Sequence, residues 1–486
     1  MPSAAIVAPS PMWYCAFKPG WTILAHANDR GVHGVRPREV IPSPGSPWHR
    51  GLLVSVASNP DILIIGAGLA GAAAAEALAA RGFTATVLEA RDRVGGRGFS
   101  RPFADSDELL EFGGAWIRPW QVHIHDACAR HGVALRPRAP VTERRWFRDG
   151  ALHKDGPASP EDLAQHERCV ARIAADALAL KKGEERNELG QSLTDISFTA
   201  YLTRIGAPQA TRDLCGAWWT VSGNGDPARV PATEFLSSCA HGGGEPDSMI
   251  DVSADTLVGG VTLLAERMIV GSGASLVRRA AVMRIAHGSD GVTAETADGR
   301  SWHAEAALLA TGINPLAAIA FSPPLLPAQT AALATGHIGA SVKIWAKAEG
   351  VPVGVLATGG GDGIEWMLSE RLAKDGTTLI VGFGLARNFD PERRGAVDAA
   401  VSRFFPEAKL VAFDWHDWVR DPFARGTWIA PVLGAEQALA PATWRMTGPL
   451  AFASSDISPN DAGYLNAAII SGLRAAEDFG QFFGRD

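Results

Sequence analysis

The chain has 486 residues, of which 47% are hydrophobic and 20% are charged, and its formal net charge is −7. This length predicts about two or three domains rather than one core. The acidic balance gives no basic footprint for nucleic acid, and no apolar stretch is long enough to predict a membrane span.

The five cysteines are scattered along the chain without a C-x-x-C pair. This spacing argues against a disulfide framework and against a zinc site, and it favours a reducing compartment. We therefore predict a cytoplasmic protein with no metal site and a small molecule as its partner.

Residues 1–58 show no regular hydrophobic period and include a proline-rich run at 42–47. They lack the basic start and apolar core of a signal peptide. We predict a loosely ordered N-terminal extension, with a lid or a dimer arm as the alternative.

The segment DILIIGAGLAG at 61–71 combines a strand with a glycine-rich turn. Its four consecutive apolar residues predict a buried parallel strand, and the alanine-rich run that follows predicts a closely packed helix. Gly66 allows a sharp turn, Gly68 lets a pyrophosphate approach the backbone, and Gly71 permits tight helix packing. The helix N-terminus offers free N–H groups to phosphates, so the segment predicts a dinucleotide site.

Glu89 ends the second predicted strand, where its carboxylate can accept hydrogen bonds from ribose hydroxyls. The chain continues with ARDRVGGR at 90–97 and with EFGGAWI at 111–117. Two glycine pairs and several arginines exceed what a nicotinamide cofactor needs. They fit a longer cofactor whose second phosphate and isoalloxazine also require close backbone contact, which favours FAD.

These segments resemble the flavin-containing amine oxidase family, the monoamine oxidase-like group that includes bacterial nicotine and pseudooxynicotine oxidases. In that family the acid followed by A-R-x-x-x-G-G-R is the FAD segment, and the F-G-G-A-W-type segment passes beside the flavin ring. The resemblance implies FAD contacts for Glu89, Arg91, Gly96, Arg97, Gly114 and Trp116.

The pattern and the resemblance together predict an α/β fold, in which a discontinuous Rossmann-like FAD-binding domain carries an inserted α+β substrate-binding domain. We assign residues 59–136, 251–330 and 425–486 to the first domain. We assign residues 137–250 and 331–424 to the second.

Helical runs at 161–180 and 209–222 predict an insertion that covers the substrate. The cofactor domain resumes at 255–264, and strand-like stretches follow at 281–285, 291–296 and 306–310. The resemblance implies that main-chain groups of Val282 hold the adenine, and an ordinary core valine is the alternative.

Residues 339–347 predict a strand with Lys343 and Lys347 on the same face. Without further context, both are solvent-facing lysines on an amphipathic strand. The resemblance singles out Lys343, since the family places a lysine there that is bonded through water to flavin N5. Such a buried ammonium would stabilise reduced oxygen, and its water would hydrolyse an imine.

The segment from 414 to 428 resembles the family's D-P-x-x-x-G-x-aromatic pattern. Some relatives carry a flavin-linked cysteine before the aromatic residue, and Thr427 stands there in this chain. The resemblance therefore implies non-covalent FAD. It also implies that Trp428 forms one wall of an aromatic cage, with a core tryptophan as the alternative.

The C-terminal segment 450–472 resembles the family's closing pattern, which implies cofactor contacts for Asp456 and Leu465. Tyr464 would be the second wall of the cage. Ser454 and Ala467 replace family glycines, and Asp456 replaces a glutamate. Each added Cβ is a steric risk where backbone should touch the cofactor.

The resemblance thus implies an FAD-dependent amine oxidase. A neutral small-molecule amine would bind between Trp428 and Tyr464 and pass a hydride equivalent to flavin N5. The imine would be hydrolysed, and O2 would reoxidise the flavin with release of H2O2. The sequence assigns no acid to bind an ammonium group, and a homodimer is one open assembly. The alternatives are a desaturase of the protoporphyrinogen or carotenoid type and a non-catalytic flavin-binding protein.

Overall fold

The computed structural model describes residues 60–104, 106–241, 254–360, 363–459 and 461–485. All of them belong to the unit Val54–Asp486. The predicted N-terminal extension lies outside the described residues.

The first sheet is parallel and contains the predicted dinucleotide strands. Its five strands lie in the order Ser275–Val277, Ala85–Leu88, Ile62–Ile65, Ala306–Leu309 and Leu450–Phe452. The central strand is buried along its whole length, as expected for a strand covered on both faces. This arrangement confirms the predicted α/β fold with a Rossmann-like unit.

Two long helices pack against the glycine-turn helix Leu69–Ala80: Gly260–Ser272 and Leu465–Phe483. The alanine-rich surface allows a close crossing, because a Cβ at Gly472 would lie 2.2 Å from the Ala70 carbonyl oxygen. The C-terminal helix begins at Leu465, and its N-cap residue, Tyr464, has an extended backbone.

A second sheet flanks the first and holds the predicted adenine segment. Its strands lie in the order Ser301–Ala304, Gly291–Thr296, Val282–Gly288 and Ala320–Ser322. Only the last pair is parallel. Short helices at Ile313–Leu316 and Pro327–Thr335 follow this hairpin region.

The largest described sheet has seven strands. They lie in the order Lys409–Trp415, Ser341–Glu349, Thr378–Leu385, Ile364–Leu372, Val355–Thr358, Glu143–Arg148 and Ala151–His153. Five helices accompany it: Leu163–Lys181, Phe198–Arg204, Gln209–Val221, Ala232–His241 and Ala396–Phe404. The first four share a core rich in aromatic rings, including Trp218, Trp219 and Phe235. The domain boundaries themselves stay a prediction.

Two smaller sheets complete the strands that the structure describes. Ser100–Pro102 pairs with Leu109–Glu111, and Asp255–Leu257 lies between Trp116–Ile117 and Leu135–Pro137. The remaining elements are the helix Val122–Arg130 and the short helices Glu436–Leu439, Pro441–Trp444 and Ser455–Ile457.

Candidate functional site

The glycine turn opens into a cavity of about 480 Å³. Ligand-binding pockets have volumes of roughly 300–1,000 Å³, so this cavity is of ligand size. Most of the predicted site residues line it: Gly66, Gly68, Glu89, Arg91, Gly96, Arg97, Gly114, Trp116, Val282, Lys343, Trp428, Tyr464 and Leu465. Two predicted cofactor contacts, Gly71 and Asp456, do not.

The glycines of the turn have different reasons to lack a side chain. Gly66 has a φ of +110°, and a Cβ there would lie 2.6 Å from the Ala310 carbonyl oxygen. A Cβ at Gly71 would lie 2.1 Å from the Gly66 carbonyl oxygen, so Gly71 serves the packing of the turn itself. Gly68 faces open space, because a Cβ there would have the Gly96 Cα as its nearest neighbour, at 3.8 Å. Of the three, only Gly68 leaves room for a ligand by lacking a side chain.

The helix Leu69–Ala80 begins beside this space with its first donors exposed to it. Its N-cap residue, Gly68, provides no side-chain cap, and the first turn carries no acid. Leu69 and Ala70 line the cavity. Uncapped N–H groups and the helix dipole form a site for an anion, so the residues present fit the pyrophosphate of a dinucleotide.

Glu89 is 4% exposed and holds the glycine turn in shape. One carboxylate oxygen accepts a hydrogen bond from the Ala67 N–H, and the other accepts one from the Arg91 N–H, both at 2.8 Å. The carboxylate also lines the cavity. Its role toward a ribose stays a prediction, because the observed partners are backbone donors of the turn.

The two predicted cofactor arginines are anchored by acids. Arg91 pairs with Asp421 at 2.7 Å, and Arg97 pairs with Asp456 at 2.6 Å while donating to the Thr427 carbonyl oxygen at 2.7 Å. Asp456 also accepts from the Ile313 N–H at 3.1 Å. Burial alone would raise the pKa of Asp456, but the positive charge of Arg97 keeps it below its ordinary value.

Asp456, a predicted cofactor contact, does not line the cavity, and its contact with the cofactor stays a prediction. Asp456 is 1% exposed and lies behind Arg97, so it positions the guanidinium that lines the cavity. Ala467, where we expected a steric risk, is fully buried and does not line the cavity. Ser454 does line the cavity, and its hydroxyl accepts from the Asp456 N–H at 3.2 Å.

Lys343 is buried in an aromatic environment. It is 6% exposed, its Nζ donates to the Gly113 carbonyl oxygen at 3.0 Å, and three rings lie 5.5–5.7 Å from Nζ. The alternative of a solvent-facing lysine is wrong for Lys343, because the neighbouring strands and Trp116 cover it. Burial lowers the pKa of Lys343 to about 8, opposed by the charges of Glu111 and Glu370. Lys347 instead pairs with the exposed Asp375.

Glu111 and Glu370 were not predicted from the sequence. Burial raises the pKa of each, and Lys343 opposes the rise in both. One Glu111 oxygen accepts from the Ser100 hydroxyl and from the Val261 N–H. In each glutamate, Oε2 is buried without a hydrogen-bond partner among the described residues. The charges of both glutamates in turn oppose the lowering of the pKa of Lys343.

Trp428 and Tyr464 come from separate segments and line the same cavity as Lys343. The Trp428 Nε1–H donates to the carbonyl oxygens of Ser222 and Gly223 at 3.1 and 2.9 Å, which fixes the ring plane. Burial, as the largest cause, raises the pKa of Tyr464, so the phenol stays neutral. Both side chains are half-buried.

Asn224 is a further residue that sequence reasoning missed. Its amide donates to the Thr427 hydroxyl at 2.7 Å and to the Trp428 carbonyl oxygen at 2.6 Å. Its oxygen accepts from the Ala340 N–H at 2.8 Å and from the Ser341 hydroxyl at 2.9 Å. Asn224 therefore ties the segment that carries Trp428 to the strand that carries Lys343. The sequence signal, an asparagine between two glycines, predicts only a turn.

Glu234 and Arg118 also line the cavity, and the sequence did not single them out. The sequence had assigned no acid there. Glu234 lies in the first turn of the helix Ala232–His241, next to the aromatic core formed by the helices of the insertion. No local motif marks it, because its exposure to the cavity depends on how that helix packs.

Three properties of the described part of the chain bear on its class. It contains no group of three or more His, Cys, Asp or Glu side chains that could hold a metal ion. Its four cysteines are buried and form no disulfides, and Cys15 lies outside it. None of its helices has the length and apolar character needed to cross a membrane.

Known proteins resemble the chain along most of its length. It is 27% identical over 434 residues to (S)-6-hydroxynicotine oxidase from Paenarthrobacter nicotinovorans, which covers 84% of this chain and 96% of that protein. It is 26% identical over 462 residues to putrescine oxidase from Kocuria rosea. That match covers 86% of this chain and 95% of the relative. These likenesses favour amine oxidation over the desaturase and non-catalytic alternatives.

Solved structures share the fold. Wild-type putrescine oxidase bound to putrescine superposes with a TM-score of 0.75 at 23% identity, covering 87% of this chain and 99% of that one. Cyclohexylamine oxidase from Brevibacterium oxydans IH-35A superposes with a TM-score of 0.73 at 21% sequence identity. The match covers 88% of this chain and 100% of that one. The family model for flavin containing amine oxidoreductases matches residues 69–479. The chain belongs to the flavin-containing amine oxidoreductase family.

Proposed function

We propose that this protein is an FAD-dependent amine oxidase that holds its flavin without a covalent bond. The observation that carries the proposal is the meeting of Lys343, Trp428 and Tyr464 in one cavity with the glycine turn. These residues come from three distant segments, and they combine an aromatic binding surface with a buried amine.

The residues that would hold FAD are those around the two helix starts. The helix Leu69–Ala80 and the helix Leu465–Phe483 both lack a side-chain cap, and both begin at the cavity. Arg97 supplies a fixed positive charge between them, and Glu89 would accept from the ribose. The Thr427 hydroxyl accepts hydrogen bonds from Asn224 and from the Ser341 N–H, and it offers no thiol for a flavin bond.

A bound flavin would accept a hydride equivalent from the α-carbon of the amine and pass the electrons to an acceptor, for which we propose O2 with release of H2O2. The chain itself binds and orients the amine. Trp428 and Tyr464 present aromatic faces to a neutral amine and do not trap it as an ion pair. Lys343 would hold the water that hydrolyses the imine, and its ammonium would stabilise negative charge on reduced oxygen.

The test is anaerobic flavin reduction by a panel of amines, with the purified flavoprotein and the variants Trp428→Ala and Tyr464→Ala. Each variant should keep its flavin and lower the reduction rate by about tenfold to a hundredfold, because substrate orientation is lost. Phe482→Ala is the control, since Phe482 is 52% exposed and does not line the cavity. Unchanged rates in both cage variants would contradict the proposal, as would a wild-type flavin that no amine reduces.

The cytoplasmic location and a homodimer stay predictions. The predicted location rests on the scattered cysteines. The structure contains a single chain, so it does not test the homodimer. Size-exclusion chromatography with light scattering would measure the assembly directly.

A further inference from the structure

Glu234 is the acid that remains for a ligand in this cavity. Among the described residues, only two acids line it, Glu89 and Glu234. Glu89 is the proposed acceptor for the ribose and already accepts from two backbone N–H groups, whereas no hydrogen bond joins the Glu234 carboxylate to another described residue. A carboxylate enclosed without a partner is costly, and a ligand cation would offset that cost.

The surroundings of Glu234 place it at the substrate end of the cavity. The lining near it includes Trp218, Val230 and Ser238, and Ser238 lies one helical turn later on the same face. Burial is the largest cause that raises the pKa of the Tyr464 phenol. The negative charges of Asp461 and Glu234 raise it further, so the field of Glu234 reaches this ring. The carboxylate therefore lines the same cavity as Trp428 and Tyr464.

The surroundings of Glu234 favour the neutral form of its carboxyl group. Burial raises its pKa to about 7, and the negative charge of Glu436 adds to the rise. A cation that binds next to an unpaired carboxylate of this kind stabilises it more than a cation that binds next to a carboxylate already in an ion pair. Arg118, the other charged side chain at this end, lies 5.4 Å from the Trp120 ring centroid and so has an aromatic partner for its charge.

We propose that Glu234 binds a second, positively charged nitrogen of the substrate, so that the preferred substrates are diamines oxidised at the end held between Trp428 and Tyr464. This inference rests on the proposed function. It names a substrate class and a specificity-determining residue for the same cavity, where the sequence alone assigned no acid to bind an ammonium group.

The test compares diamines with monoamines of equal length. Putrescine and cadaverine are matched with pentylamine and hexylamine, in which a methyl group replaces the distal ammonium. For the wild-type flavoprotein, kcat/KM should be about tenfold to a hundredfold higher for each diamine than for its partner. Glu234→Gln should abolish that preference, mainly by raising KM for the diamine, because the distal contact is made equally in ground state and transition state.

Controls separate a specific effect from a structural one. Glu167→Gln changes an exposed glutamate of the helix Leu163–Lys181 that does not line the cavity, so it should leave the diamine preference unchanged. Flavin content and monoamine oxidation in Glu234→Gln report whether the variant is folded. Should that variant lose its flavin, Glu234→Leu provides a second test, in which hexylamine should become the better substrate.

The outcomes separate the two proposals. Monoamines and diamines oxidised equally by the wild type, or affected equally by Glu234→Gln, would overturn the role of Glu234 and leave amine oxidation standing. A preference for 4-aminobutanoate would also overturn it, by assigning recognition to Arg118. Failure of every amine to reduce the flavin would overturn the proposed function together with this inference.

Discussion

Lys343→Met should stabilise the protein near neutral pH. Burial lowers the pKa of Lys343 from its ordinary value of 10.5 to about 8. That difference corresponds to a penalty of roughly 3 kcal/mol for folding with the protonated side chain. Methionine fills a similar volume without the charge, but it loses the hydrogen bond to the Gly113 carbonyl oxygen, which costs about 1 kcal/mol. The net gain in free energy of unfolding is on the order of 2 kcal/mol.

The gain should depend on pH with a definite sign. The folded pKa lies below the unfolded one, so between about pH 8 and 10.5 the unfolded state holds a proton that the folded state has lost. Wild-type stability therefore rises with pH across this window, and the variant lacks that rise. The advantage of Lys343→Met should be full below pH 8. It should disappear toward pH 10.5, where only the lost hydrogen bond remains.

Urea unfolding followed by tryptophan fluorescence, at equal flavin content and at several pH values from 6.5 to 10.5, measures this difference. Lys347→Met is the matched control, because Lys347 lies on the same strand face but pairs with the exposed Asp375. Its effect should stay within about 1 kcal/mol. A destabilised Lys343→Met at neutral pH, or a difference that does not change with pH, would refute the reasoning.

Three further outcomes test the flavin site. In stopped flow, Lys343→Met should slow reoxidation by O2 far more than reduction by amine, and equal effects on both would return Lys343 to a structural role. Glu89→Ala should weaken FAD binding by about 1.5–3 kcal/mol, measured as flavin retained at limiting cofactor, and unchanged retention would exclude the ribose contact. Acid precipitation should release all flavin as FAD, because Thr427 replaces the family's linking cysteine, and flavin in the pellet would contradict this.

The buried lysine shows why function and stability oppose each other here. Lys343 lies between two acids with unpartnered oxygens and beneath three aromatic rings. A core built for stability would replace such a group with an apolar one. Its retention fits a site in which the amine performs chemistry.

Local motifs predicted the strand and the glycine turn that line one side of the cavity. Gly66, Gly68 and Glu89 lie in one strand, turn, helix and strand unit, and their conformations follow from backbone constraints between near neighbours in the chain. The predicted strand at 291–296 has the same bounds in the structure, and the strand predicted at 339–347 runs from Ser341 to Glu349. Only the terminal residues of such elements shift, where capping decides the boundary.

The sequence by itself determined the flavin fold, the glycine turn and the candidates Lys343, Trp428 and Tyr464, because each carries a local pattern. Only the tertiary structure decided that Asp456 pairs with Arg97, that Asn224 joins the segment of Trp428 to the strand of Lys343, and that Glu234 lines the cavity. These roles are contacts between side chains far apart in sequence. No local pattern specifies such contacts, since they depend on which helix faces and strand edges the packed core brings together.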